Sequence, residues 1–146
     1  MKKLTNTAFI YAIVAMISGV LYREGSKFLE VTEPTTWSFT HTHFFVLGMF
    51  FFLIVLLIEK NFRIMKDKKF NLFYNIYNIG LVITGGMLWV RGAVDLATDI
   101  PTTYDKMVSG ISGVGHILLG VGIILFFVIL KDKVSEEKMA KTRKKN

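Results

Sequence analysis

Three histidines, His41, His43 and His116, are the residues of this chain best equipped for chemistry. An imidazole can ligate a metal through either ring nitrogen and titrates near neutral pH. All three lie within, or at the edge of, long apolar runs. Ionisable groups are costly there and ordinarily face a bundle interior with a partner. His43 precedes Glu59 by 16 residues and His116 precedes Lys131 by 15. At about 1.5 Å per residue, both lie roughly 23 Å from one boundary, at a shared depth. Two imidazoles at one depth on two helices suit a noncovalently bound haem b with axial histidines. Gly48, Gly113, Gly115, Gly120 and Gly122 lie along the same two helices, and Gly19, Gly85 and Gly86 on the others. They would make room for a macrocycle, although glycines in membrane helices also serve close packing. Arg23 and Arg91 end two apolar runs on the histidine side. They are candidates to pair haem propionates, or else interface anchors.

His41 stands two residues from His43, about 200° around a helix, so the two cannot face one point unless the helix starts between them. If Thr40–His43 is an unwound entrance, His41, His43 and His116 would form a three-imidazole site for copper or zinc. With no cysteine in the chain, disulfides, thiolate metal sites and covalent c-type haem are excluded. No phosphate-binding loop, nucleophile constellation or carboxylate pair is present, and no catalytic activity of its own is expected. The central parts of the apolar runs contain no Asp or Glu, which argues against a carboxylate-driven pump.

The elements that position these residues are four apolar runs: Leu4 to Tyr22, Phe39 to Ile58, Leu72 to Val90 and Ile111 to Leu130. Each approaches the roughly 20 residues needed to cross a bilayer as a helix. The first follows Lys2 and Lys3 but ends in Tyr22-Arg23-Glu24 rather than a small-residue cleavage site, so it reads as a retained helix. Of the 18 Lys and Arg, 14 fall on the side of the two termini, in Lys2–Lys3, the 59–70 loop and the tail from Lys131. This is the positive-inside pattern and needs no nucleic acid to explain the net charge of +7. Short loops favour an all-α up-down-up-down four-helix bundle, with helices 2 and 4 expected on a diagonal. Residues 1–132 form the membrane domain and 133–146 a basic cytoplasmic tail, solvated or lying on anionic headgroups. Asn71, Asn75 and Asn78, with Tyr74 and Tyr77, read as helix-packing groups.

The two halves also resemble each other. Ile10-Tyr11 and Ile17-Ser18-Gly19 match Ile76-Tyr77 and Ile83-Thr84-Gly85; Glu33-Pro34-Thr35-Thr36 matches Ile100-Pro101-Thr102-Thr103; His43 through Gly48 matches His116 through Gly120 with a one-residue slip. The pattern predicts two like-oriented hairpins from a duplication, related by an axis along the membrane normal.

Asn6 through Tyr11, Leu21-Tyr22-Arg23-Glu24, Thr40-His41-Thr42-His43 with Leu47-Gly48, and Gly115 through Gly120 together resemble a bacterial family of small four-span membrane proteins of unknown function. That resemblance covers nearly the whole chain and implies fold and location, not activity. Histidines early in helices followed by Leu-Gly are similar, over two short segments, to haem-binding helices of haem-copper oxidases, whose fuller histidine set is absent here. The expected function is a cytochrome b-like membrane protein for electron transfer, haem handling or sensing. A cofactor-free accessory subunit, alone or with a partner protein or second copy, and a copper or zinc site are the alternatives. The expected location is a bacterial cytoplasmic membrane with both termini inside.

Overall fold

A computed structural model describes residues 1–33, 35–97 and 101–143. Pro34 and Ile100, with the loop matches they belong to, and the last three residues of the basic tail lie outside them. Four helices appear: α1 (Lys2–Phe28), α2 (Trp37–Phe62), α3 (Phe70–Asp95) and α4 (Thr102–Arg143). All four are long and apolar enough to cross a membrane, and the described residues contain no strand. The chain is thus a small four-span membrane bundle. In lipid every backbone group must find an internal partner, which a helix provides within itself. Helix α4 continues unbroken past Leu130 and takes the first part of the 133–146 tail with it.

Glycines decide how the helices approach. On Gly80 of α3 an added Cβ would lie 2.7 Å from the Leu119 backbone nitrogen of α4, and on Gly115 of α4 it would lie 2.7 Å from Thr84 Oγ1. Such small residues let backbones meet closely where no hydrophobic effect drives helices together. Gly85 and Gly92 of α3 similarly admit the rings of Phe44 and Trp37 from α2. These pockets draw α2 onto α3. Helix α1 packs on α2 and reaches α3 through side chains: Tyr74 Oη donates to Thr7 Oγ1 at 2.6 Å and Tyr11 Oη to Asn78 Oδ1 at 2.7 Å. Asn78 and Tyr74 thus serve helix packing, as their position suggested.

The resulting cross-section is a rhombus. Helices α2 and α3 form its short diagonal; among the described residues α1 and α4 make no backbone approach and form the long one. The expected diagonal relation of helices 2 and 4 is therefore corrected: they are edge neighbours. The cause is the glycine-lined seating of Phe44 and Trp37 on α3, which pulls the second and third helices together.

The internal repeat is visible in burial. Leu4, Thr7, Tyr11, Ala15 and Ser18 are buried on α1, and the residues 66 positions later, Phe70, Phe73, Tyr77, Leu81 and Thr84, are buried on α3. Gly48 faces Tyr11, and 74 positions after Gly48, Gly122 faces Tyr77. The repeat is broken in two ways. The α2–α3 contact has no α4–α1 counterpart, and His43 and His116 are 73 positions apart, one residue out of the interface register.

Candidate functional site

Helix α2 contains a π segment, Phe44–Phe50, that begins immediately after His43. A π turn widens the helix and re-aims the side chains around it, and such segments concentrate at functional sites. Nothing in the apolar string of residues 44–50 announces it.

The level of the two histidines can be read from α3. Phe44 sits on Gly85 and Gly115 on Thr84, adjacent positions of one helix. Their chain neighbours His43 and His116 therefore share one level, as their spacing from the basic end implied. They also share a local geometry. His43 Nδ1 lies 2.8 Å from the Phe39 carbonyl and His116 Nδ1 lies 2.9 Å from the Ser112 carbonyl, each four residues back. A carbonyl only accepts, so both Nδ1 atoms carry a proton, and in the neutral imidazole Nε2 then presents the lone pair. This is the arrangement by which a ligating histidine has its tautomer and ring orientation fixed.

The walls that carry them diverge. Helix α4 meets α2 only along Phe51–Phe62, where Phe51 and Phe126 pack edge to face with centroids 5.5 Å apart. Between Trp37 and Phe50 no such approach occurs. A cleft thus opens between α2 and α4 toward the histidine end, with α3 as its floor. His43, Thr42, Val46 and Leu47 line a shallow hollow of about 280 Å³ on α2 itself, to which α4 contributes no residue. His116 is exposed at the surface of α4, which in a bilayer means facing lipid. Thr84 Oγ1, on the floor at the same level, is fully buried and has no hydrogen-bond partner.

His41 points elsewhere. Its ring lies against Gly19 of α1, with Cγ 3.8 Å from where a Cβ would stand, and stacks near Tyr22 at 6.5 Å. Helix α2 begins at Trp37, so Thr40–His43 is helical rather than unwound, and His41 and His43 diverge as helical geometry requires. Among the described residues no three His, Asp or Glu groups converge as a metal site. The three histidines are not brought together for copper or zinc.

The arginines differ from each other. Arg23 is 85% exposed, with only Glu24 nearby at 3.7 Å. Arg91 is engaged: Asp105 of α4 lies 2.5 Å from its Nη1 and Asp95 lies 3.4 Å from its Nε. Asp95 also accepts from the backbone and hydroxyl of Thr36, before α2. This latch ties three helices at the rim of a cavity of about 290 Å³ that Ser109 and Ser112 also line. In the sequence only the i,i+4 spacing of Arg91 and Asp95 signals this latch, and nothing there marks Asp105.

A protein-family model described as "Protein of unknown function (DUF2871)" matches residues 1–133. No curated protein and no solved structure matches the chain.

Proposed function

The chain belongs to this family of unknown function, and we propose that it binds haem b noncovalently in the α2–α4 cleft, where His43 and His116 would hold it. One observation carries the reading. Both histidines, at one level, have Nδ1 tied to the carbonyl four residues back, which leaves Nε2 of each without a protein partner among the described residues. Lipid offers no water to satisfy those nitrogens, and an unmet buried acceptor costs about 1–3 kcal/mol. Iron would satisfy both. When bound, the haem supplies reversible one-electron chemistry, consistent with electron transfer, haem handling or sensing. The chain's own residues orient the imidazoles, wall the cleft with α3 and Val46, and close its inner end with Phe51 and Phe126. Arg91 would reach a propionate only by loosening from Asp95 or Asp105, so its contribution would be smaller than that of either histidine. Arg23 is too solvated to be a strong partner.

The test is an absorption spectrum of protein purified in mild detergent from haem-replete cells. A Soret band is expected, abolished or shifted in His43→Ala and in His116→Ala. A colourless preparation, or spectra indifferent to both substitutions, overturns the reading. It would favour a cofactor-free accessory subunit, for which the lipid-facing Nε2 of His116 is then a contact point for a partner helix.

The proposal includes orientation in a bacterial cytoplasmic membrane with both termini in the cytoplasm, supported by the 14 basic residues at one end. The chain has no cysteine, so Lys27→Cys and Lys106→Cys serve as single labels. Both should react with an impermeant maleimide added to intact cells; reaction only after lysis reverses the topology.

A further inference from the structure

At the basic end, opposite the histidines, a pocket of about 310 Å³ lies between the C-terminus of α2 and the extension of α4. Arg63, Lys66 and Lys133 line it, together with Asn61 and two carboxylates, Glu136 and Glu137. Arg63 follows Ile58 by five residues and Lys133 follows Leu130 by three. Both therefore stand just beyond the apolar spans, at the depth of lipid headgroups.

The acids of this end have partners, Glu137 on the pocket wall included. Glu59 accepts from the Met65 backbone nitrogen at 2.7 Å, and Asp67 accepts from that of Lys69 at 2.8 Å. Asp132 pairs with Lys69 at 3.2 Å and Glu136 with Lys133 at 2.9 Å. The Glu136 hydrogen bond holds the Lys133 ammonium above its ordinary range, so it stays charged. Arg63 and Lys66 have no acidic partner among the described residues. Their side chains are exposed, and the backbone that carries them is held in place. Arg63 ends α2, and Ile64, fully buried, pins the short 3-10 turn Ile64–Lys66 that follows. Arg63 adopts φ 50°, ψ 46°, a left-handed conformation in which glycine would be relaxed. Arg63 keeps this conformation without being glycine, and its charge is what a glycine would lack.

We infer that this pocket binds the phosphate of an anionic phospholipid, with Arg63 and Lys66 as the unpaired cations and Lys133 at its edge. Basic pockets between spanning helices recognise such headgroups. The chemistry shared by a lipid and a free ion is the phosphate oxyanion; the depth of the site favours the lipid. The inference does not rest on the haem reading.

The experiment compares thermal unfolding of the full chain in detergent micelles doped with phosphatidylglycerol or with phosphatidylcholine. Phosphatidylglycerol should raise the midpoint by on the order of 3 °C over phosphatidylcholine. Arg63→Gly should lose that difference while melting no lower in phosphatidylcholine, because glycine relaxes the left-handed residue. Lys66→Gln should reduce the difference, and Lys68→Gln, a loop lysine outside the pocket, should keep it. If millimolar inorganic phosphate alone reproduces the shift, and Arg63→Gly abolishes it, the phosphate site stands and its ligand is soluble. Equal stabilisation by the two lipids, or equal losses in Arg63→Gly and Lys68→Gln, overturns the proposal.

Discussion

The two ends of the bundle are built on different terms. Toward the basic end Phe52, Phe70, Phe73 and Tyr77 are essentially fully buried, and Phe51 joins them with its ring 4.3 Å from that of Tyr77. The polar groups there are matched: Tyr77 Oη donates to the Leu47 carbonyl at 2.8 Å, and Thr7, Tyr74, Tyr11 and Asn78 satisfy one another. Toward the histidine end α2 and α4 part. Every buried, unpartnered side-chain polar atom among the described residues lies there, on Ser26, Thr35, Thr40, His41 and Thr84. Native structures leave few such groups, and each calls for an explanation. Aromatic packing at one end holds the bundle closed; the other end keeps space and unspent hydrogen-bonding capacity, which is what a binding site requires and a stability core avoids.

That contrast can be broken from either side. The largest effect on stability should come from Phe52→Ala. Phe52 is fully buried and packs on Tyr11, Tyr74 and Tyr77. Soluble proteins lose about 3–5 kcal/mol for such a truncation. With lipid rather than water as the alternative environment the loss should be about 2 kcal/mol, measured by denaturant-induced unfolding in mixed micelles. Per folded molecule the Soret band should be unchanged. A normal stability with a lost band would mean that the basic end, not the cleft, holds the cofactor.

Arg91→Gln should act in between. It removes the charge that Asp95 and Asp105 share, and exposed or half-exposed pairs are worth about 0.2–1 kcal/mol each. The midpoint should fall by a degree or two, while haem loss during dilution should speed up several-fold because α4 is less firmly tied to α3. If haem retention is untouched and stability falls sharply, the latch is purely structural.

The fold was largely legible from the chain because its signals are local. Four apolar runs, the charge bias and the short loops specify four spans without reference to tertiary contacts. The shared level of His43 and His116 was also legible, since helical rise converts residue counts to depth. The cross-section was not. Which helices form the short diagonal depends on whether Gly85 and Gly92 receive Phe44 and Trp37, a matter of side-chain fit that spacing does not encode. The π segment at Phe44–Phe50 was hidden for a related reason: an unbroken apolar stretch carries no mark of where a turn widens. Asp95 and Asp105 were missed because they follow the apolar run and read as loop charges until α4 brings Asp105 to Arg91.

The smallest effect, and the sharpest test of the contrast, is expected at His41. Its ring packs on Gly19 and beside Tyr22, away from the cleft, and its buried Nδ1 has no partner. A buried unpartnered nitrogen costs about 1–3 kcal/mol, so removing it offsets part of the packing lost with the ring. In His41→Leu the unfolding midpoint should stay within about 2 °C of the parent or rise slightly, and the Soret maximum should not move. His43 and His116 differ from His41 in one respect that matters here: their Nδ1 protons are spent on carbonyls, leaving Nε2 to ligate. If His41→Leu removed the Soret band while His43→Ala left it, the ligand would lie between α1 and α2. The unpartnered Nδ1 of His41, rather than the anchored pair, would then mark the site, and the cleft between α2 and α4 would be only a place where two helices fail to meet.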